Sequence, residues 1–185
     1  MGKFNYEEET RNDYLISKQM KKIWAIQLEL VNKVLDVCKR NNLTIFADGG
    51  TLLGVIRHGG YIPWDDDIDL AMKREDYNKL CEIADKEFDD LYFFQSEETD
   101  PGSVRGHVQI RKSDTTAILN SERNMNCRFN QGIFIDIIPL DAIPNNEFIR
   151  KIYLRRLNKK KQNSIKFRNL TQCYRNEKEI GRAHV

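Results

Sequence analysis

No apolar run in this sequence approaches the roughly 20 residues that a membrane-spanning helix needs. Its opening, MGKFNYEEETRNDY, is polar and acidic where a secretory signal carries an apolar core. The four cysteines, Cys38, Cys81, Cys127 and Cys173, are widely scattered, with no CxxC pair and no Cys/His spacing suited to zinc. They read as reduced thiols, which sets aside a disulfide framework and leads us to expect a cytoplasmic protein. Charge of one sign is missing too. Against 28 Asp+Glu stand 30 Lys+Arg, a formal net charge of +2, too small for a global field that draws nucleic acid, so none is expected as a partner. Neither an internal repeat nor a low-complexity tract occurs. What is present is 185 residues, 40% hydrophobic and 31% charged, the balance of one globular domain that buries its own core. The closing EIGRAHV reads as translated adapter DNA. Residues 179–185 are therefore expected to be a non-native tail, and the natural domain is expected to continue past this point.

Apolar residues recur at helical spacing across 11–40, through Met20, Ile23, Trp24, Leu28, Val31, Val34, Leu35 and Cys38. This predicts a long amphipathic helix stopped at Asn41-Asn42. A short strand at 43–47 runs into Asp48-Gly49-Gly50, followed by a short helix over 51–57 and a Gly/Pro-rich loop over 58–64. An alternating strand is predicted at 67–72 and a second amphipathic helix at 75–88, with further strands at 91–94, 107–111 and 132–138, the last ended by Pro139. Beyond Asn145 the pattern is helical and basic. Helices and strands mix in an α+β order rather than in regular βαβ units.

The chemistry concentrates in Trp64-Asp-Asp-Asp-Ile-Asp-Leu70, which holds four carboxylates. Strand side chains two apart share a face, so Asp67 and Asp69 project together, with Asp65 in line at the strand mouth and Ile68 and Leu70 turned to the core. Carboxylates this close repel unless a cation neutralises them. Oxygen ligands of this kind suit Mg²⁺ or Mn²⁺. Asp136 is a lone charge inside the apolar run GIFIDII, costly unless it faces the same metal from a neighbouring strand. Asp67, Asp69 and Asp136 are thus the expected catalytic and metal-binding residues, with Asp65 as a further ligand, and Asp136 is expected to help deprotonate the acceptor. A calcium loop opening at Asp65 fails, because its sixth and twelfth positions are Leu70 and Asp76 rather than Gly and Glu. A plain solvated acidic turn accounts for the aspartate run alone, but not for the glycines before it and Asp136 after it.

Between a strand and a short helix, Gly49 and Gly50 let backbone N–H groups approach a phosphate. The order strand, Gly-Gly, helix, Asp-x-Asp strand and later Asp strand resembles the nucleotidyltransferase superfamily typified by DNA polymerase beta. The string ADGGTLLGVIRHGGYIPWDDDIDLAM resembles the LicD family, with bacterial phosphocholine transferases and the fukutin-related proteins. The likeness is dense over 43–77 and looser at 109–116 and 132–141.

That resemblance implies an α+β, nucleotidyltransferase-like (DNA polymerase beta-like) mixed sheet flanked by helices. In it Gly49, Gly50 and Thr51 line a donor-phosphate site, Asp67 and Asp69 bind metal, and Asp136 completes the triad. Residues 1–42 form an N-terminal helix packed on the domain, and 43–178 form the domain itself. The implied reaction is metal-dependent transfer of a phosphocholine-like group from a nucleotide-diphospho (CDP-choline-like) donor to a hydroxyl of a cell-surface glycan, such as lipopolysaccharide or teichoic acid, at the inner membrane face with a peripheral membrane contact. A nucleotide-sugar glycosyltransferase using Asp-x-Asp, or a non-catalytic nucleotide- and metal-binding fragment, remain alternatives.

Arg57 is expected to clamp the donor phosphate. His58, Arg111 and Lys112 are weaker choices of the same kind. Tyr61 and Trp64 flank the acids and are suited to stacking or to a choline cage, although Trp64 reads better as a loop anchor in the core. His107 has no partner visible in the sequence and reads as structural. The run 150–168 is a basic helix that suits anionic lipid or an acidic acceptor, or else the outer side of a helix covering the domain.

Overall fold

The computed structural model describes residues 4–171, except 104, 121 and 124–126, and of 164–171 only the backbone. The element order is β1 (Glu9–Arg11), β2 (Tyr14–Ile16), α1 (Lys18–Arg40), β3 (Phe46–Ala47), α2 (Gly49–His58), β4 (Asp69–Lys73), α3 (Arg74–Glu87), β5 (Tyr92–Gln95), β6 (Val108–Lys112), β7 (Ile133–Leu140) and α4 (Glu147–Thr171). Among the described residues this is an α+β fold with four helices and a five-stranded mixed sheet in the order β3-β4-β7-β6-β5. Only β4 and β7 are parallel; the other neighbours are antiparallel. The residues 179–185 read as a tail lie outside the described part of the chain.

The start of the chain departs from the helical reading. Helix α1 begins at Lys18, because Ser17 caps it by accepting a hydrogen bond from the Met20 N–H at 3.1 Å. Ahead of it lies a hairpin, β1-β2, turned at Asn12 and Asp13 with φ of 52° and 60°. Two left-handed residues between paired strands form the tight turn that matches strand twist, and Asn and Asp tolerate that conformation best. At the other end Asn41 closes α1, its N–H bonding the Val37 carbonyl.

One face of the sheet carries the core. Ile68, Leu70, Met72, Val108, Ile110, Ile135 and Ile137 pack with Leu30, Val34 and Val37 of α1 and with Tyr77, Leu80 and Ala84 of α3. Each of these strand residues alternates with one on the opposite face, as the pleat requires. Strand β7 runs through Pro139 rather than stopping at it. Opposite Pro139 only β4 still pairs, through Met72, while the β6 partnership ends at Ile137, so the missing N–H breaks no ladder on that side. Helix α4 does not cover the domain in the described part. Phe148, Ile149, Ile152 and Leu157 are all exposed, and basic side chains break up the helix's apolar stripe. Among the described residues no helix is long and apolar enough to cross a membrane.

Candidate metal and phosphate site

Register places the acids. Asp69 is the Cα partner of Asp136 across the parallel pair β4-β7, and Gln109 is the partner of Asp136 across β6-β7. The three side chains therefore sit in one row on the face opposite the core. The strand begins only at Asp69, so Asp67 lies in the extended segment before it rather than inside β4. Ile68 and Leu70 are nonetheless buried, so the expected alternation of acids out and apolars in holds through the junction. Carboxylate oxygens of Asp65, Asp66 and Asp67 lie within 4.8 Å of one another.

Helix α2 is tied to these acids by its first residues. The Asp48 N–H donates to the Asp69 carbonyl at 3.0 Å, and the Thr51 hydroxyl oxygen accepts from the Asp69 N–H at 2.9 Å. This double tie presses the glycine backbone against the carboxylates. A Cβ on Gly49 would stand 3.0 Å from Asp69 Oδ2, and one on Gly50 only 2.7 Å from Asp65 Oδ2. Gly49 also holds a φ of +50°, which a side chain disfavours. The glycines are thus needed where backbone and acids meet, and the positive end of α2 faces negative charge.

The loop bearing Asp65–Asp67 is held from α1. Trp24 Nε1 donates to the Asp65 carbonyl at 2.9 Å, and Gln27 Nε2 donates to that of Asp66 at 2.7 Å. Tyr61 stacks on Trp24, with centroids 4.4 Å apart, and its hydroxyl donates to Gln27 Oε1 at 3.0 Å. Tyr61 therefore anchors the loop. Trp64 does not: it is 56% exposed and meets Tyr14 and His58 edge-on.

Crowding shows in the acids themselves. Burial, then the charges of Asp65 and Asp69, push the Asp67 carboxyl up to about 7. Asp69 is raised by burial and by Asp136, Asp48 and Asp65, with His107 acting in the opposite sense. Asp48 thereby joins the acidic group, a role its place in a turn did not suggest. Asp136 Oδ1 accepts from His107 Nε2 at 3.0 Å and from Gln109 Nε2 at 2.6 Å. His107 is thus part of the site rather than a lone structural residue. The missed signal was strand alternation, since 107 and 109 share a face and Gln109 lies opposite Asp136. A cleft of about 320 Å³ opens here, lined by Asp66, Asp67, Arg105, His107, Gln109 and Asp136. Arg105 is a second residue the sequence reading passed over.

Three basic residues expected at a phosphate are either far from Gly49 or bonded to other groups. Arg57 is exposed at the far end of α2, about 12 Å along the helix axis from Gly49 at 1.5 Å per residue. Arg111 is only 1% exposed and spends its guanidinium on internal acceptors. Lys112 pairs with Glu29 at 2.8 Å and covers the Tyr92 ring, across the sheet from the acids.

The donor set is all oxygen, concentrated and short of countercharge, which fits a hard divalent cation such as Mg²⁺ or Mn²⁺. Among the described residues the oxygens already gathered for such an ion are those of Asp65, Asp66 and Asp67, while Asp69 and Asp136 stand side by side across β4-β7.

Fold and site together define a small α+β domain whose sheet brings two aspartate-bearing strands against a glycine turn at a helix start. A sequence profile described as LicD/FKTN/FKRP, nucleotidyltransferase domain, matches residues 42–175, and the chain belongs to that family. It is 31% identical over 131 residues to the lipopolysaccharide cholinephosphotransferase LicD of Haemophilus influenzae, covering 68% of this chain and 48% of that protein. Over 54 residues it is 41% identical to the human ribitol 5-phosphate transferase FKRP, covering 29% of this chain and 11% of that protein. A third relative, mannosyltransferase regulator 4 of Saccharomyces cerevisiae, is 29% identical over 128 residues, 64% of this chain and 10% of that protein. The chain thus spans about half the length of LicD and far less of the other two.

Proposed function

We propose that this chain is the cation-binding part of a transferase that moves a phospho-alcohol group, phosphocholine or similar, from a CDP-type donor to a hydroxyl of a cell-surface glycan. The observation that carries this reading is the register of Asp69 beside Asp136, with the backbone of Gly49 against Asp69 and that of Gly50 against Asp65. The names of two relatives, a cholinephosphotransferase and a ribitol 5-phosphate transferase, support the class of group moved. When bound, Mg²⁺ or Mn²⁺ supplies positive charge to the transferred phosphate and aligns its oxygens.

The chain's own residues do the rest. Asp67, Asp69 and Asp136 fix the cation, with Asp65 beside them, and the start of α2 at Gly49, Gly50 and Thr51 adds partial positive charge facing the donor phosphates. Arg105 lines the cleft wall, but its guanidinium is already paired with Glu122. In the transfer, the acceptor oxygen forms a bond to phosphorus, the pyrophosphate P–O bond breaks, CMP leaves, and the hydroxyl proton is released. Because Oδ1 of Asp136 already accepts two hydrogen bonds, we assign Asp136 to holding the cation rather than to taking that proton. The exposed basic helix α4 suits a station at the inner membrane face, beside anionic headgroups.

The test is release of CMP from CDP-choline by this chain with Mg²⁺, compared with Asp67→Asn/Asp69→Asn. Metal-dependent CMP release that disappears in the double variant is expected. Release of CDP in place of CMP, or equal release by both proteins, refutes the assignment.

A further inference from the structure

Gln95, Gln109 and Arg111 are each no more than 2% exposed, yet they are polar and lie in adjoining strands beside Asp136. Arg111 Nη2 donates to Gln109 Oε1 at 2.5 Å, Nε to Gln95 Oε1 at 2.5 Å, and Nη1 to the Gly132 carbonyl at 2.7 Å. Its guanidinium also lies over the Phe134 ring, 4.5 Å from the centroid. Each glutamine then passes a donor outward. Gln109 Nε2 bonds Asp136 Oδ1 at 2.6 Å, while Gln95 Nε2 bonds Asp100 Oδ2 at 2.7 Å and the Asn130 carbonyl at 2.9 Å.

The chemistry of the end groups fixes the direction of this chain of bonds. A guanidinium only donates and a carboxylate only accepts. Turning the Gln109 amide over would set N–H against N–H at Arg111 and oxygen against oxygen at Asp136. Arg111 therefore holds the Gln109 amide with its NH₂ toward Asp136, and does so from a place no solvent reaches. Both hydrogen bonds to Asp136 end on Oδ1, and among the described residues none ends on Oδ2. A buried guanidinium facing neutral acceptors is a costly way to fill a core; a fork that sorts two amides is something only arginine supplies.

We propose that Arg111 and Gln109 are positioning residues for the cation site: the Arg111 fork orients the Gln109 amide, which pins Asp136 by Oδ1 and presents Oδ2 to the metal. This rests on the cation reading of the acids. Outer partners of this kind commonly set metal affinity by tenfold or more.

Gln95 supplies the internal control, being equally buried and bonded to the same guanidinium, but leading away from the acids. Mn²⁺ is titrated calorimetrically into the full chain and into Gln109→Met, Gln95→Met and Arg111→Lys, and each metal-free Tm is recorded. Both glutamine variants lose Tm. Gln109→Met raises the Mn²⁺ Kd by about tenfold, and Gln95→Met by less than about twofold. Arg111→Lys, which keeps the charge without the fork, raises it by about fivefold. Wild-type affinity in Gln109→Met, or equal losses in the two glutamine variants, overturns the inference while leaving the acid site standing. Wild-type affinity in Arg111→Lys removes Arg111 from it. Failure of the wild-type chain to bind Mn²⁺ refutes the acid site itself.

Discussion

Neutralising Asp67 should strengthen the metal-free fold while destroying the site. Asp67 sits partly exposed among Asp65, Asp66 and Asp69, and burial with those charges holds its carboxyl at about 7. The folded chain therefore keeps a proton that the unfolded chain, with an ordinary value near 4, gives up. Between about pH 4 and pH 7 the folded state binds more protons, so stability falls as pH rises through that window and levels off above it. At full strength the difference corresponds to about 4 kcal/mol; solvent screening at a half-exposed carboxylate reduces it to about 1–2 kcal/mol. Asp67→Asn removes the charge with little change of shape. In EDTA at pH 8 it should be about 1–2 kcal/mol more stable than wild type, about 3–6 °C in Tm for a chain of this size, and its stability should decline less from pH 4 to 7, the remaining decline coming from the raised Asp69. Saturating Mn²⁺ should reverse the order, because only the wild-type site gains binding energy; a hundredfold excess over Kd contributes about 2.7 kcal/mol. Urea and thermal unfolding followed by circular dichroism at several pH values read all of this. An Asp67→Asn chain less stable than wild type at pH 8, or one with the same pH dependence, refutes the account of crowded, uncompensated acids.

Gly50→Ala and Gly132→Ala should fail in different ways. The new Cβ at 50 meets only the end of the Asp65 side chain, which can swing aside, so the metal-free Tm should move by less than the equivalent of about 1 kcal/mol, while Mn²⁺ affinity falls several-fold in calorimetry. At 132 the Cβ runs into the Lys112 carbonyl, 2.8 Å from its carbon, where the β6-β7 pairing ends at Lys112 and Ile133. Backbone there cannot yield, and urea unfolding should show a loss of about 2–3 kcal/mol.

The placement of the acids and glycines of the candidate site is legible because these residues obey short-range rules. Strand alternation places Asp67 and Asp69 opposite Ile68 and Leu70, a glycine pair marks the close approach at α2, and a lone Asp inside GIFIDII stands out against its apolar neighbours. What the sequence hides is register. That Asp136 lies opposite Gln109 follows from the β6-β7 pairing, whereas VRGHVQIRK by itself shows only that 107 and 109 share a face. Arg111 shows the same limit: an arginine at a strand end reads as a phosphate clamp until pairing with β5 and β7 encloses it. The N-terminal hairpin was masked because apolar residues beyond Lys18 set a strong helical period that extrapolates backward over Arg11–Ser17, and Asn-Asp is a less emphatic turn signal than Asn-Gly. Trp64 and Tyr61 exchange roles for a similar reason. Both flank the acids, and only the stack of Tyr61 on Trp24 of α1 decides which is buried.

The most direct measurement is crystallographic: anomalous scattering from crystals of this chain grown with Mn²⁺ and CMP. The account predicts a peak ligated by Asp67, Asp69 and Asp136, beside the Gly49-Gly50 turn and in contact with a phosphate oxygen of CMP. A manganese peak elsewhere with these three carboxylates unliganded, or CMP bound away from the glycine turn, would contradict it.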